Sequence, residues 1–156
     1  MDILTFALDS QPYAFRADHV VQVVQVVAIA PLAGAPPGVE GVVNVRGTMI
    51  PVFDLRGRFG LPERPIDPAQ HLVILKIGAR SAAVRVDSAE DFISIPDSDV
   101  TAPGALAEGA MGDAHSPYAA GVAVTPGGTM VIYDLAAFLT PSESLALEQA
   151  MVPRSG

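Results

Sequence analysis

Gly47-Thr48-Met49-Ile50-Pro51-Val52-Phe53-Asp54-Leu55-Arg56-Gly57-Arg58-Phe59-Gly60-Leu61-Pro62 is echoed by Gly128-Thr129-Met130-Val131-Ile132-Tyr133-Asp134-Leu135-Ala136-Ala137-Phe138-Leu139-Thr140-Pro141. The two Gly-Thr-Met openings lie 81 residues apart, and Gly, Thr, Met, Val, Asp, Leu and Phe recur in order. A matching apolar run precedes each copy, Gly41-Val42-Val43 in one and Gly121-Val122-Ala123 in the other. An internal repeat of this kind decides the architecture before any single element does. One such unit is too small to bury an adequate core alone, so the repeat predicts two units of about five short strands packed as two small β-barrels.

Working outward, short β-branched runs separated by turn residues dominate. Leu4, Phe6 and Leu8 alternate with Thr5 and Ala7 as in a half-buried strand. After the turn Asp9-Ser10-Gln11-Pro12, Tyr13 and Phe15 open a second strand. Asp18 to Gln22 reads as a helical turn, and Val23 to Ile29 as a strand because valine favours strands. Two strands are expected around Arg46-Gly47-Thr48, then a short helix over Leu55 to Gly60. A proline-rich connector follows over Pro62 to Pro68, then a hairpin around Gly78-Ala79-Arg80. Thr101 to Pro117 reads as a loop. Thr140-Pro141-Ser142-Glu143 forms a capping box that opens a final helix over about residues 141–151. The expected organisation is mainly β: one domain over 1–156, with subdomains near 1–64 and 66–140 and the C-terminal helix outside them.

Composition narrows the function. Half of the residues are hydrophobic and 17% charged, which is globular and not disordered. No apolar run reaches the length of a membrane helix, and Met1 to Ser10 reads as a strand and not a signal peptide, so the expected compartment is the cytoplasm without membrane insertion. There is no cysteine, which excludes disulfides and thiolate chemistry. A net charge of −8 with a single lysine, Lys76, argues against nucleic acid. The charge is uneven: residues 46–85 carry seven basic and three acidic residues, whereas 86–156 carry one arginine and ten acids. Such asymmetry describes either solvated faces of mixed sign or a basic patch for acidic partners.

Catalytic patterns are missing. His19, His71 and His115 lie far apart and belong to no metal motif. Asp54 and Asp134 recur in the repeat, each after a strand and before a helical turn, where aspartate caps backbone N–H groups. Ser10, Ser81 and Ser116 lack a nucleophile elbow, and Pro126-Gly127-Gly128 joins two strands and is no phosphate loop. Arg46 stands out positively. Gly47 permits a turn with positive φ that aims the arginine at a fixed spot. Its role is either to hold that turn or to anchor a partner.

The run Gly41-Val42-Val43-Asn44-Val45-Arg46-Gly47-Thr48-Met49-Ile50-Pro51-Val52-Phe53-Asp54-Leu55-Arg56 resembles the signature of the CheW family of chemotaxis coupling proteins, with Val45 for its usual leucine. Phe6-x-Leu8, Tyr13-Ala14-Phe15, Val86-Asp87-Ser88 and Val131 to Leu135 extend the resemblance from Ile3 to about Ala150. It implies two intertwined SH3-like five-stranded barrels with no catalytic activity and no cofactor. It also implies two partners: the regulatory domain of a CheA-type histidine kinase, and the tips of methyl-accepting chemoreceptors. By motif, receptor contacts fall on Val20, Gln22, Gly41 and Arg46, and kinase contacts on Val24, Val26 and Ile29. The free chain is expected to be a monomer, with its docking surfaces open. Gln22 stands where the family usually has glutamate, which leaves room for a paralogue serving a non-flagellar pathway or another regulator.

Overall fold

The structure is a computed structural model that describes residues 1–36, 38–77, 79–101, 119–125 and 128–134. The expected loop over 101–117 and the helix over 141–151 lie, but for Thr101, outside the described residues. The described chain forms two sheets. One contains β1 (Asp2–Leu8), β2 (Gln11–Arg16), β8 (Ser88–Ser94), β9 (Val100–Thr101), β10 (Ala119–Thr125) and β11 (Gly128–Tyr133), in the order β8-β1-β2-β11-β10-β9. The other contains β3 (Val20–Gln25), β4 (Val39–Val45), β5 (Thr48–Phe53), β6 (His71–Ile77) and β7 (Arg80–Val86), in the order β3-β6-β7-β5-β4. Each sheet has one parallel pair, β2 with β11 and β5 with β7, and is otherwise antiparallel. Each draws strands from both sides of residue 65.

The alternation of side chains across each strand builds three apolar layers. Leu4, Phe6, Leu8, Phe15 and Tyr133 of the six-stranded sheet pack with Phe53, Val73, Leu75, Val84 and Val86 of the five-stranded sheet. That cluster is the seam between the sheets, and Phe6, Tyr13, Phe15, Phe59 and Tyr133 stack within it at 4.0 to 6.0 Å between ring centroids. Side chains on the opposite faces form separate cores. Val43, Ile50, Val52, Leu72, Ile74 and Ala83 cluster in the five-stranded sheet. Ile3, Ala14, Ile95, Ala123 and Ile132 cluster in the six-stranded one.

The repeat is real, but its structural offset is 80. Val45 pairs with Thr48 where Thr125 pairs with Gly128, and Val43 with Ile50 where Ala123 pairs with Met130. The second Gly-Thr-Met therefore sits one position out of step with the first, while Gly41 and Gly121, and Asp54 and Asp134, match. Both glycines sit at ladder irregularities where a crossing segment closes on the strand. Ala30 exchanges two 2.8 Å hydrogen bonds with Val42, and Thr101 and Val100 pair with Val122 and Ala123.

Three boundaries differ from the sequence expectations. The helical turn is a single 3-10 turn at Ala17–His19, and the strand starts at Val20 and ends at Gln25. Val20 to Gln25 is held by pairing with β6, and the chain then turns away: Val26 N–H donates to the carbonyl of Gln70 at 3.0 Å. Helix α1 covers only Leu55–Arg58, because Gly60 takes φ +70 just beyond it. Strand β8 carries no alternating pattern and is largely exposed, so its sequence gave no sign of it. Asp54 does cap α1, its Oδ1 accepting from Gly57 N–H at 3.0 Å. Asp54→Ala is expected to lower stability by about 1 kcal/mol in urea denaturation. No loss at all would mean that the cap contributes nothing.

Candidate partner-binding surfaces

Arg46 occupies the β4–β5 turn with φ +53, followed by Gly47 at φ +85. Two successive left-handed residues suit the right-handed twist of a tight hairpin. Asn44 fixes the turn by accepting from Gly47 N–H at 2.8 Å through Oδ1. The arginine side chain therefore does not hold the turn. It is exposed and has no ionic or hydrogen-bonding partner among the described residues.

The other expected contact positions scatter. Val20 and Gln22 lie on β3, half-buried, opposite Leu75 and Ile74. Gly41 is buried at the Ala30 crossing, where a Cβ would meet the Ala30 carbonyl oxygen at 2.2 Å. Its place is set by backbone packing. Val24, Val26 and Ile29 do not share a strand. Each is half-buried against the core of the five-stranded sheet, and Val23 turns to the seam. The exposed large apolar residues of this segment are Val21 and Val27, at 59% and 44%.

A charge cluster absent from the sequence expectations lies where the sheets meet. Arg56, 6% exposed, donates through Nη2 to Asp9 Oδ1 at 2.6 Å, through Nη1 to Asp87 Oδ2 at 3.1 Å, and through Nε to the Pro62 carbonyl at 2.7 Å. Asp87 also accepts from Asp9 N–H at 2.7 Å and from Arg64 at 2.9 Å. Asp9 sits in the β1–β2 turn of one sheet, and Arg56 follows β5 of the other. The signal for this clasp was the arginine closing the Asp54-Leu55-Arg56 motif. A second pair joins β4 to β7, with Arg85 Nη2 on Glu40 Oε1 at 2.5 Å and Arg85 Nη1 on Gln70 Oε1 at 3.0 Å. An open groove of about 680 Å³ beside them is lined by Glu40, Asp54, Arg56, Arg64, Ile66 and Arg85. Within it Arg56, Arg64 and Arg85 are each paired with an acid of the chain.

Burial, with the nearby Asp9 charge, raises the Tyr13 phenol above its ordinary value against the opposing pull of Arg56, and burial raises that of Tyr133 further. Both rings stay neutral in the seam at ordinary pH. Among the described residues, no three histidine or carboxylate side chains gather to hold a metal, and no helix is long and apolar enough to cross a membrane.

Compared with known proteins, residues 2–143 match the family described as CheW-like domain. The chain belongs to the CheW-like family. A CheW-like relative from Bacillus subtilis (strain 168), named chemotaxis protein CheW, is 29% identical over 63% of this chain and 63% of its own length. The corresponding protein of Rhizobium meliloti (strain 1021) is 22% identical over 86% of this chain and 84% of its own. The chain thus spans somewhat under two thirds of the Bacillus relative. Among solved structures, the scaffolding protein TtCheW from Thermoanaerobacter tengcongensis superposes with a TM-score of 0.77 at 26% identity, covering 91% of this chain and 94% of that one. The two-sheet arrangement is the CheW-like fold.

Proposed function

We propose that this protein is a non-enzymatic adaptor that couples methyl-accepting chemoreceptors to a CheA-type histidine kinase in chemotaxis. The observation that carries the reading is Arg46. A non-glycine residue with positive φ costs energy that glycine or asparagine would spare, and such positions persist where the side chain is needed. Arg46 holds that conformation with an exposed guanidinium that has no partner among the described residues. It also closes the Asn-Val-Arg-Gly core of the family signature, and the relatives named above are chemotaxis and scaffolding proteins. Receptor contact is assigned to Arg46 with Val20, Gln22 and the Gly41 crossing. Kinase contact is assigned to the segment of Val24, Val26 and Ile29, reached through exposed Val27.

The test is Arg46→Ala. Receptor-fragment affinity is expected to fall by about 2 kcal/mol, roughly 30-fold in Kd. The melting temperature should stay nearly constant, because Asn44 and Gly47 hold the turn. A large loss of stability with unchanged receptor affinity would sink the assignment. Gln22 in place of the family glutamate favours a second reading, a paralogue that scaffolds a non-flagellar pathway. A pull-down with the kinase regulatory domain separates an adaptor for CheA from one for another regulator.

A further inference from the structure

Two histidines reach from one sheet to the other, and they do so in opposite ways. His19, in the 3-10 turn before β3, places Nε2 3.9 Å from Oδ1 of Asp134, just past β11. That contact is ionic only when the ring is charged. His71 opens β6, opposite Gln25 of β3 and Val86 of β7. Its Nδ1 accepts from the backbone N–H of Ala89 at 3.3 Å. Ala89 belongs to β8, so this bond joins the two sheets directly. A ring nitrogen that accepts carries a lone pair and no proton. His71 therefore holds Ala89 only as the neutral imidazole, with its proton on Nε2.

β8 is the end strand of its sheet, so one of its sides has no strand partner. On the other side its ladder with β1 is interrupted. Phe6 pairs with Ala89 and Leu4 with Phe92, which leaves Glu90 and Asp91 opposite Thr5 alone. The buried Thr5 hydroxyl fills the gap, accepting from Asp91 N–H at 3.0 Å and donating to its carbonyl at 3.3 Å. Ala89 N–H is left to His71. The charged groups around the imidazole are committed elsewhere or lie in solvent. β3 carries none. On β7, Arg85 is held by Glu40 and Gln70, and Asp87, just past that strand, by Arg56 and Arg64. Asp67, ahead of β6, accepts from Ala69 N–H, and Lys76 sits at the far end of β6. Glu90 and Asp91 of β8 are exposed. His71 forms no ion pair with any of them.

We propose that His71 is a proton-operated tie between the two sheets, closed by the neutral ring and opened when the ring takes up a proton. Protonation puts a hydrogen on Nδ1, so two N–H donors face each other and the bond to Ala89 is lost. The Ala89 amide is then without an acceptor, and the start of β8 comes away from the five-stranded sheet. The charged ring is disfavoured in this contact. The tie therefore contributes stability above the imidazole titration range and loses it as pH falls through that range. His19 works in the other sense, since its contact with Asp134 strengthens when its ring is charged. Across roughly pH 5 to 8, where imidazoles change charge, the joint between the sheets trades one histidine contact for the other.

The test is amide hydrogen exchange by NMR on the full chain at about pH 8 and about pH 5.5, corrected for intrinsic exchange rates. The lower value stays above the ordinary carboxyl range. Protection of the Ala89 amide should fall by roughly fivefold or more at the lower pH, the equilibrium value of one hydrogen bond. The nitrogen signals of the His71 ring should show Nδ1 bare at the higher pH. In His71→Ala, Ala89 protection should be low at both pH values. His71→Asn offers a carbonyl oxygen near the place of Nδ1 and does not titrate, so its Ala89 protection should not change with pH. His19→Gln, which removes the other titrating contact, should leave the drop at Ala89 in place. If the parent protects Ala89 equally at both pH values, the proposal is overturned, and that result needs no variant to fold. Equal protection in the parent and His71→Ala at the higher pH overturns it too, as does a drop in His71→Asn as large as the parent's.

Discussion

Replacing Arg56 with alanine is expected to lower the unfolding free energy by about 3 kcal/mol or more, the largest single-residue loss outside the apolar cores. The guanidinium is nearly buried and serves Asp87, Asp9 and the Pro62 carbonyl together. Without it, Asp87 is left at 12% side-chain exposure with only Arg64, itself 46% exposed, to balance it. A buried charge that loses its partner costs far more than an exposed pair contributes. Asp9, at 40% exposure, finds water and adds little. Arg56→Lys should recover only part of the loss, since an ammonium cannot reach three acceptors in one plane. Chemical denaturation of the three proteins reads this directly, and a loss below about 1 kcal/mol for Arg56→Ala would show that the clasp is incidental.

Gly41→Ala is expected to be nearly as damaging, about 2–4 kcal/mol, and for a different reason. The new Cβ would stand 2.2 Å from the Ala30 carbonyl oxygen and 2.9 Å from its carbon, both backbone atoms, with φ at +155. Neither atom can swing aside without breaking the paired bonds between Ala30 and Val42. Gly121 is the same position in the second unit, but its Cβ would meet the Val100 Cγ1 methyl at 2.9 Å and the Thr101 carbonyl oxygen only at 3.3 Å. A side chain yields more cheaply than backbone, so Gly121→Ala should cost clearly less. Thermal unfolding of the two variants, side by side, checks the ranking. Equal losses would mean that the crossing at Ala30 is as pliable as the one at Thr101.

Much of this fold was legible in the sequence because its elements are short and strongly patterned. The Arg46-Gly47 hairpin, the Gly78-Ala79-Arg80 hairpin and the Asp54 cap each carry their own turn or cap chemistry. Where local chemistry was silent, the reading failed. Strand β8, Ser88 to Ser94, is ordered by pairing along β1, and its acidic, exposed face has no period to detect. The Val20 to Ile29 run was misplaced because eight apolar residues broken only by Gln22 and Gln25 do not say where pairing with β6 stops. Pairing distant carboxylates with Arg56 needed the seam between sheets, which brings Asp9 and Asp87 to it across 47 and 31 residues. The candidate surface was half legible. The motif pointed to Arg46, but that Asn44 and not the arginine holds the turn is seen only in the hydrogen bond to Gly47 N–H.

The interleaving of the sheets bears on the order in which the molecule is assembled. The five-stranded sheet is built from one unbroken stretch, residues 20 to 86, and is complete once β7 has left the ribosome. The β1–β2 hairpin is synthesised earlier, yet its neighbours β8 and β11 arrive later. Its apolar face, with Leu4, Phe6, Leu8 and Phe15, packs on the seam face of the five-stranded sheet, whose Phe53, Val73, Leu75 and Val84 are all synthesised before β8 and β11. The five-stranded sheet is thus available as a template for the hairpin before the hairpin's own sheet partners have been synthesised. Closure of the six-stranded sheet needs pairing across long sequence separations, the kind of contact that slows folding and leaves an unpaired edge open in the interim.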